Sequence, residues 1–137
     1  MSDALKNIST ILRDTPYCFI ATVKGNEPRV RAFQYQFEQD GKLWFCTAKS
    51  KDVFTQLQAN PTVEICTVKQ DMSWLRVVAR VAFDDNRVVK ERIIAEQPLI
   101  KSIYGSADNP DFATFCIEHG TYVIADFSGN PPRSGSF

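Results

Sequence analysis

The chain has 137 residues, and its sixteen Lys and Arg residues balance sixteen Asp and Glu residues. This length is typical of one domain with a real hydrophobic core, so we expect a single domain over residues 1–137. The charge balance argues against nucleic acid as the main partner, because proteins that bind phosphate backbones usually carry a basic excess. No run approaches the roughly 20 apolar residues of a membrane span, and the N-terminus lacks a signal-peptide pattern. We therefore expect a cytoplasmic protein with no membrane partner.

The cysteines do not form a metal-binding or disulfide pattern. Each of the four lies in an apolar, strand-like run, none belongs to a CxxC pair, and His119 is the single histidine. Zinc sites and disulfide scaffolds need closer or turn-located spacing. We interpret these residues as buried apolar side chains in a reducing compartment. A nucleophilic Cys/His pair is an alternative that nothing else in the sequence supports. The four residues are Cys18, Cys46, Cys66 and Cys116.

Hydrophobic periodicity predicts strands with short interspersed helices. A first helix is expected from a cap at Ser2 or Asp3 to about Arg13, and another from a cap within residues 84–86 to about Gln97. The expected strands cover residues 17–23, 29–37, 42–47, 62–69, 73–83, 112–117 and 121–127. The last two strands are expected to pair with each other, and residues 128–137 to form a flexible or turn-rich tail. About six or seven strands with short helices indicate a small antiparallel barrel of the α+β class.

The stretch from Pro28 to Pro61 is the most informative part of the chain. Period-two alternation places five side chains on one face of its first strand. Asp40-Gly41 supplies the positive φ values that a tight hairpin turn needs. A basic, hydroxyl-rich loop follows the second strand, and a short helix begins after Ser50, which we expect to be its N-cap. The five residues on one face are Arg29, Arg31, Phe33, Tyr35 and Phe37.

The basic loop predicts an anion site. Thr47, Lys49, Ser50 and Lys51 lie next to a helix N-terminus, where the macrodipole favours an anion and disfavours a cation. The alternative is a solvated loop whose lysine side chains point into water.

The alternation of arginines with aromatic residues on the preceding strand supports this site. Arg29 and Arg31 share a face with three aromatic rings, which suggests a pocket for a flat, phosphorylated ligand. The alternative is an exposed basic edge strand. The chain has no GxGxxG, no P-loop and no nucleophile elbow, and Asp84-Asp85 is better explained as a helix cap than as an acid–base pair.

Five segments in order resemble the pyridoxamine 5′-phosphate oxidase-like family of flavin-binding proteins, and especially its short bacterial members. They cover nearly the whole chain, and their order and spacing are more specific than any one of them. They are ATVKGNEPRVR (21–31), DGKLWFCT (40–47), SKDVFTQLQANPTVEIC (50–66), SWLRVVARVAFDDNR (73–87) and LIKSIYG (99–105).

This resemblance implies a split β-barrel that forms a homodimer, with FMN in two clefts at the subunit interface. Arg31 and the loop 47–51 would hold the FMN phosphate and ribityl chain, and residues 29–33 would lie beside the ring. Trp74 and Arg76 would line the cleft from the other subunit. The predicted cofactor-binding residues are therefore Arg29, Val30, Arg31, Ala32, Phe33, Thr47, Lys49, Ser50, Lys51, Trp74 and Arg76.

The resemblance implies an FMN-dependent oxidoreductase that uses a small-molecule electron donor and acceptor, with an unknown substrate. The alternatives are a flavin-binding carrier, store or stress-related protein without turnover, or a protein that binds haem or a deazaflavin. Two departures limit the transfer. Ala32 replaces a proline of many relatives. True oxidases hold pyridoxal phosphate with basic and histidine residues of a longer C-terminal region, to which SGNPPRSGSF (128–137) has no equivalent. We do not expect oxidation of pyridoxamine phosphate.

Overall fold

A computed structural model describes residues 2–137. In chain order the elements are α1 (Asp3–Asp14), β1 (Tyr17–Lys24), β2 (Glu27–Gln34), β3 (Phe37–Gln39), β4 (Lys42–Ala48), α2 (Asp52–Ala59), β5 (Thr62–Val68), β6 (Trp74–Arg80), β7 (Ala82–Phe83), α3 (Arg87–Glu96), α4 (Pro98–Tyr104), β8 (Phe112–Ile117), β9 (Gly120–Ala125) and β10 (Arg133–Ser136). Within these residues no helix combines the length and the apolar character that a membrane crossing requires.

The strands form two antiparallel sheets. The six-stranded sheet has the order β10-β9-β6-β5-β1-β2, and the four-stranded sheet has the order β3-β4-β8-β7. Their inner faces share one large hydrophobic core, to which α1 and α2 also contribute. This arrangement confirms the predicted α+β, mainly antiparallel split β-barrel with short flanking helices.

Two segments that were each predicted as one strand cross between the sheets. Residues 29–37 leave the six-stranded sheet after β2, cross through Tyr35 and Gln36, and enter the four-stranded sheet as β3. Residues 73–83 do the same at Val81, between β6 and β7. The prediction of continuous strands was wrong at both points, because period-two alternation continues through a bend that moves a strand from one sheet to the other.

The C-terminal region also differs from the prediction. β8 pairs with β4 and β7, whereas β9 pairs with β6 and β10, so the expected pairing of β8 with β9 was wrong. The tail contains β10, and Phe137 exchanges backbone hydrogen bonds of 3.0 and 3.2 Å with Gly120. Sequence composition misses β10 because Gly and Ser have weak strand propensity. The two crossings and β10 explain why the described residues contain ten strands rather than six or seven.

Local capping and turn chemistry follow the sequence in most places. The Ser2 Oγ caps α1, and Asn86 caps α3 by accepting a 3.1 Å hydrogen bond from the Val89 N–H. Asp40 and Gly41 have φ values of 57° and 75°, as a tight hairpin requires.

The six-stranded sheet has an inner face and an outer face, and the strand register assigns each residue to one of them. Arg31 lies opposite the fully buried Ile20, so its side chain belongs to the inner face. The outer face carries apolar side chains that remain open in one chain, with Tyr17 68%, Phe19 55% and Val30 67% exposed. The residues on the outer face include Tyr17, Phe19, Val30, Ala32, Glu64, Cys66, Trp74, Arg76 and Val78.

Candidate functional site

A half-buried guanidinium lies at the centre of the site. The Arg31 Nη1 donates to the Thr22 Oγ1 at 2.7 Å, and the Nη2 donates to the Gln56 Oε1 at 2.6 Å. The same Gln56 oxygen accepts a 2.6 Å hydrogen bond from Thr22. Burial lowers the pKa of Arg31, and the nearby charge of Arg29 lowers it further.

Among the described residues, Arg31 forms no ion pair with a carboxylate, although the nearby charge of Asp52 partly opposes the fall in its pKa. Its partners are uncharged oxygen atoms, and among residues 2–137 no carboxylate lies within 4.0 Å of it. Arginine stays protonated despite such a shift. A partly desolvated cation without a direct ion-pair partner favours the binding of an anion.

Thr22 and Gln56 were missed by the sequence analysis. Thr22 belongs to an apolar strand, and Gln56 lies on the buried side of α2 beside Val53 and Leu57. A long polar side chain on the apolar stripe of a helix needs a buried partner. This sequence pattern alone could have predicted that Gln56 has a buried hydrogen-bond partner.

An aromatic contact connects the strand of Arg31 to the strand of Thr47. Phe33 follows Arg31 on the inner face and packs edge-to-face against Phe45, with ring centroids 6.5 Å apart. Phe45 and Thr47 share one face of β4, and β4 is antiparallel to the strand that continues β2.

Thr47 also has an unmet hydrogen-bonding requirement. Its Oγ1 is buried and has no partner among the described residues. Buried hydroxyl groups in proteins are normally hydrogen-bonded, to protein, water or a ligand. The Thr47 hydroxyl is suited to donate a hydrogen bond to an oxygen atom of a ligand held by Arg31.

The loop between β4 and α2 is fixed by a carboxylate that the sequence analysis did not anticipate. The Ser50 N–H and Oγ–H donate to the two carboxylate oxygens of Asp111, at 2.8 and 2.9 Å. The Lys49 N–H donates to the Asp111 backbone oxygen at 2.8 Å. Because Ser50 is used in this way, Lys51 takes the N-cap position of α2 without a capping side-chain bond, and the predicted Ser50 cap was wrong.

The two lysines of the loop remain available. The side chains of Lys49 and Lys51 are exposed, and neither has a carboxylate within 4.0 Å among residues 2–137. Arg29, by contrast, forms an exposed ion pair with Glu27 at 2.7 Å. Exposed pairs of this kind contribute little and break readily.

Four of the predicted residues face away from Arg31. Val30, Ala32, Trp74 and Arg76 lie on the outer face, and β6 is the third strand from β2. Strand spacing places the two strands about 14 Å apart. Within one chain, the predicted residues therefore form two groups, an inner group around Arg31 and an outer group around Arg76.

The outer group has its own contacts. The Arg76 Nη2 donates to both carboxylate oxygens of Glu64, at 2.8 and 3.0 Å. Trp74 packs against Phe127, with ring centroids 4.9 Å apart. These contacts hold a flat aromatic ring and a guanidinium on the open face of the sheet.

The buried cysteines and the histidine give no sign of a nucleophilic pair or a metal site. Burial raises the pKa of Cys18 and of Cys46 to about 12, so both thiols stay protonated at neutral pH. His119 is exposed in the connection between β8 and β9. Among the described residues no group of three or more His, Cys, Asp or Glu side chains is placed to hold a metal ion.

The chain is similar in sequence and structure to several known proteins. A family model described as pyridoxamine 5′-phosphate oxidase matches residues 4–121. A NimC/NimA family protein from Clostridium acetobutylicum is 34% identical, with 97% of this chain and 92% of that chain covered and a TM-score of 0.88. General stress protein 26 from Bacillus anthracis is 17% identical, with 99% and 100% covered and a TM-score of 0.80. A pyridoxamine 5′-phosphate oxidase-related, FMN-binding protein from Nostoc punctiforme is 16% identical, with 100% and 97% covered and a TM-score of 0.75. No curated protein matches the sequence.

Gln56 should hold Arg31 and Thr22 together. We expect Gln56→Leu to lower the free energy of unfolding by about 1–3 kcal/mol, because it leaves two buried polar groups without their shared acceptor. Gln56→Glu keeps an acceptor at this position, so its free energy of unfolding should fall less. Urea unfolding at equal protein concentration measures both, and Gln58→Leu, at an exposed position of the same helix, is the control. Equal stability of Gln56→Leu and wild type would contradict this role.

Proposed function

Because the chain belongs to the pyridoxamine 5′-phosphate oxidase family, we propose that it is a homodimeric FMN-binding protein that acts as a flavin-dependent oxidoreductase. The observation that carries the proposal is the half-buried Arg31, which has only uncharged partners. The buried, unpaired Thr47 hydroxyl on β4 supports it.

The inner group of residues fits a phosphate. Arg31 would supply a guanidinium, Thr47 a hydroxyl, and Lys49 and Lys51 two ammonium groups near the N-terminus of α2. A phosphate bound there would gain charge-assisted hydrogen bonds, which are shorter and stronger than neutral ones. The helix N-terminus adds a favourable field for an anion.

Ser50 fits this role less directly. Its N–H and hydroxyl already donate to Asp111. For Ser50 to contact a phosphate, Asp111 would have to give up one of these hydrogen bonds. We therefore assign the main phosphate contacts to Arg31, Thr47 and Lys51, and give Ser50 the role of fixing the loop.

The outer group requires a second copy of the chain. Val30, Ala32, Trp74 and Arg76 face away from Arg31, so within one chain they cannot line the same cleft. The outer face is also rich in exposed apolar side chains, which are typical of interaction surfaces. We propose that two outer faces pack together in a homodimer and bring Trp74 and Arg76 of one protomer to the FMN held by its partner.

Bound FMN supplies the redox chemistry, and the chain supplies binding, orientation and electrostatics. Phe33 is positioned by its edge contacts with Phe45 and Phe115, so the apolar wall beside the cofactor is rigid. The guanidinium groups of Arg29 and Arg31 place positive charge beside that wall. The substrate, the electron donor and the electron acceptor are small molecules that these residues do not identify.

FMN binding should depend on the phosphate contacts. We expect Arg31→Ala and Lys51→Ala each to weaken FMN binding about tenfold to a hundredfold, because each removes a charged hydrogen-bond partner worth about 1.5–3 kcal/mol. Riboflavin lacks the phosphate, so its affinity should change much less. Lys101→Ala, at an exposed position of α4, is the control. Fluorescence titration with both flavins measures the effect, and unchanged FMN affinity in both variants would refute the phosphate assignment.

The dimer should depend on the outer face. Phe19→Glu places a charge at the centre of that face, and we expect it to give a folded monomer with reduced FMN affinity. Val88→Glu is the matched control, because Val88 is 64% exposed on α3. Size-exclusion chromatography with light scattering gives the mass, and FMN titration gives the affinity. A Phe19→Glu variant that stays dimeric would show that the interface lies elsewhere.

Turnover distinguishes an oxidoreductase from a flavin carrier, store or stress-related protein. The FMN-loaded protein is reduced anaerobically with NADH or NADPH and then mixed with quinones, nitroaromatic compounds or oxygen. We expect the flavin absorbance to bleach and then to return rapidly with at least one acceptor. Flavin that no reductant bleaches would support the binding role, and copurification of haem or a deazaflavin instead of FMN would overturn the cofactor assignment.

A further inference from the structure

A second polar groove lies away from the residues assigned to FMN. It has a volume of about 380 Å³ and is formed by α1, the crossing between β2 and β3, and α3. None of the predicted cofactor-binding residues lines it. We propose that this groove binds a small carboxylate that carries a hydroxyl or ammonium group on the neighbouring carbon. The residues that line the groove include Lys6, Ser9, Arg13, Gln36, Phe37 and Arg92.

The first reason is a buried acceptor without a partner. Gln36 is only 9% exposed, and its Nε2 donates to the Gln34 backbone oxygen at 3.0 Å. Its Oε1 has no hydrogen-bond partner among the described residues. The chain crosses between the sheets at this residue, whose backbone N–H donates to the Trp44 backbone oxygen at 3.1 Å. A ligand O–H or N–H group would supply the missing donor.

The second reason is a buried hydroxyl pair, of which Ser9 lines the same groove. The Ser9 Oγ and the Tyr35 hydroxyl lie 2.8 Å apart. Two hydroxyl groups that share one hydrogen bond leave one O–H hydrogen free to donate. Burial raises the pKa of Tyr35, so the phenol remains protonated and both hydrogens are present. The groove thus presents both a free acceptor and a free donor.

The third reason is its unpaired positive charge. Lys6 and Arg13 lie seven residues apart on α1, hence on one side of the helix, and among residues 2–137 neither has a carboxylate within 4.0 Å. The groove's three cations, Lys6, Arg13 and Arg92, outnumber its two carboxylates, Glu38 and Glu96. Glu38 accepts a hydrogen bond from the Gly41 N–H at 2.8 Å, and Glu96 pairs with Arg92 at 3.2 Å.

Arg92 is held in place on the opposite side. Its guanidinium carbon lies 3.8 Å from the centre of the Phe37 ring, and its Nη1 donates to the Gln39 Oε1 at 3.1 Å. These contacts leave N–H groups of the Nη2 free. A planar guanidinium that is already oriented loses little conformational freedom when it binds a carboxylate.

Together these groups define the ligand. The carboxylate would contact the cations, and a donor on the adjacent carbon would reach the Gln36 Oε1. Both 2-hydroxy acids and 2-amino acids have this chemistry. A simple carboxylate would satisfy the cations and leave the Gln36 oxygen unpaired.

NMR titration of the FMN-saturated protein tests the proposal, with L-lactate, L-alanine and propionate as probes. We expect lactate and alanine to shift the Gln36 side-chain amide and the Arg92 Nε–H saturably, with millimolar affinity. Propionate lacks the donor and should bind about threefold to tenfold more weakly than lactate, as expected for the loss of one hydrogen bond. No saturable shift at these groups, or equal binding of lactate and propionate, would overturn the proposal.

Two variants separate the contributions. Gln36→Met should abolish the preference for lactate over propionate, and Arg13→Ala should weaken all three ligands, whereas Lys101→Ala should change none. Arg13 is exposed, so Arg13→Ala keeps the test decisive if Gln36→Met does not fold. Retention of the lactate preference in Gln36→Met, or unchanged affinity in Arg13→Ala, would refute the assignment. Because the same titrations in FMN-free protein should give the same order of affinities, this site and the flavin site can fail independently.

Discussion

The hydrogen bonds from Arg31 and Thr22 to the Gln56 side-chain oxygen are the interaction on which the candidate site depends. They join two neighbouring strands to α2, and they hold a guanidinium half out of water without neutralising it. A carboxylate in place of the Gln56 amide would stabilise the same arrangement while cancelling the charge. The amide keeps Arg31 both oriented and positive, and this combination suits the binding of an external anion.

The two-sheet architecture explains why the predicted residues form two groups. Successive residues of a strand point to opposite faces, so Arg31 faces the barrel interior while Val30 and Ala32 face outward. Trp74 and Arg76 share that outer face with exposed apolar side chains. The family relationship and this geometry support one proposal, in which the outer face of one protomer completes the cleft of its partner.

Local patterns predicted local features well, and they failed where distant segments meet. The α1 cap, the Asp40-Gly41 turn and the buried face of β6 follow from a few neighbouring residues. The crossing at Gln36 and the separation of β8 from β9 do not, because alternation is the same whichever sheet a strand joins. Asp111 was missed for the same reason. It is 61 residues from Ser50 in sequence, yet its carboxylate accepts hydrogen bonds from both the N–H and the hydroxyl of that residue.

The sequence by itself determined the α+β barrel class, the common strand face of Arg29, Arg31 and Phe33, and the basic loop beside a helix N-terminus. These properties depend on periodicity and on residue types a few positions apart. Only the tertiary structure decided that Gln56 and Thr22 hold Arg31, that the Thr47 hydroxyl is left unpaired, and that Ser50 is bound to Asp111. Hydrogen-bond partners that are far apart in sequence are selected by the packing of sheets and helices, and no local pattern encodes that packing.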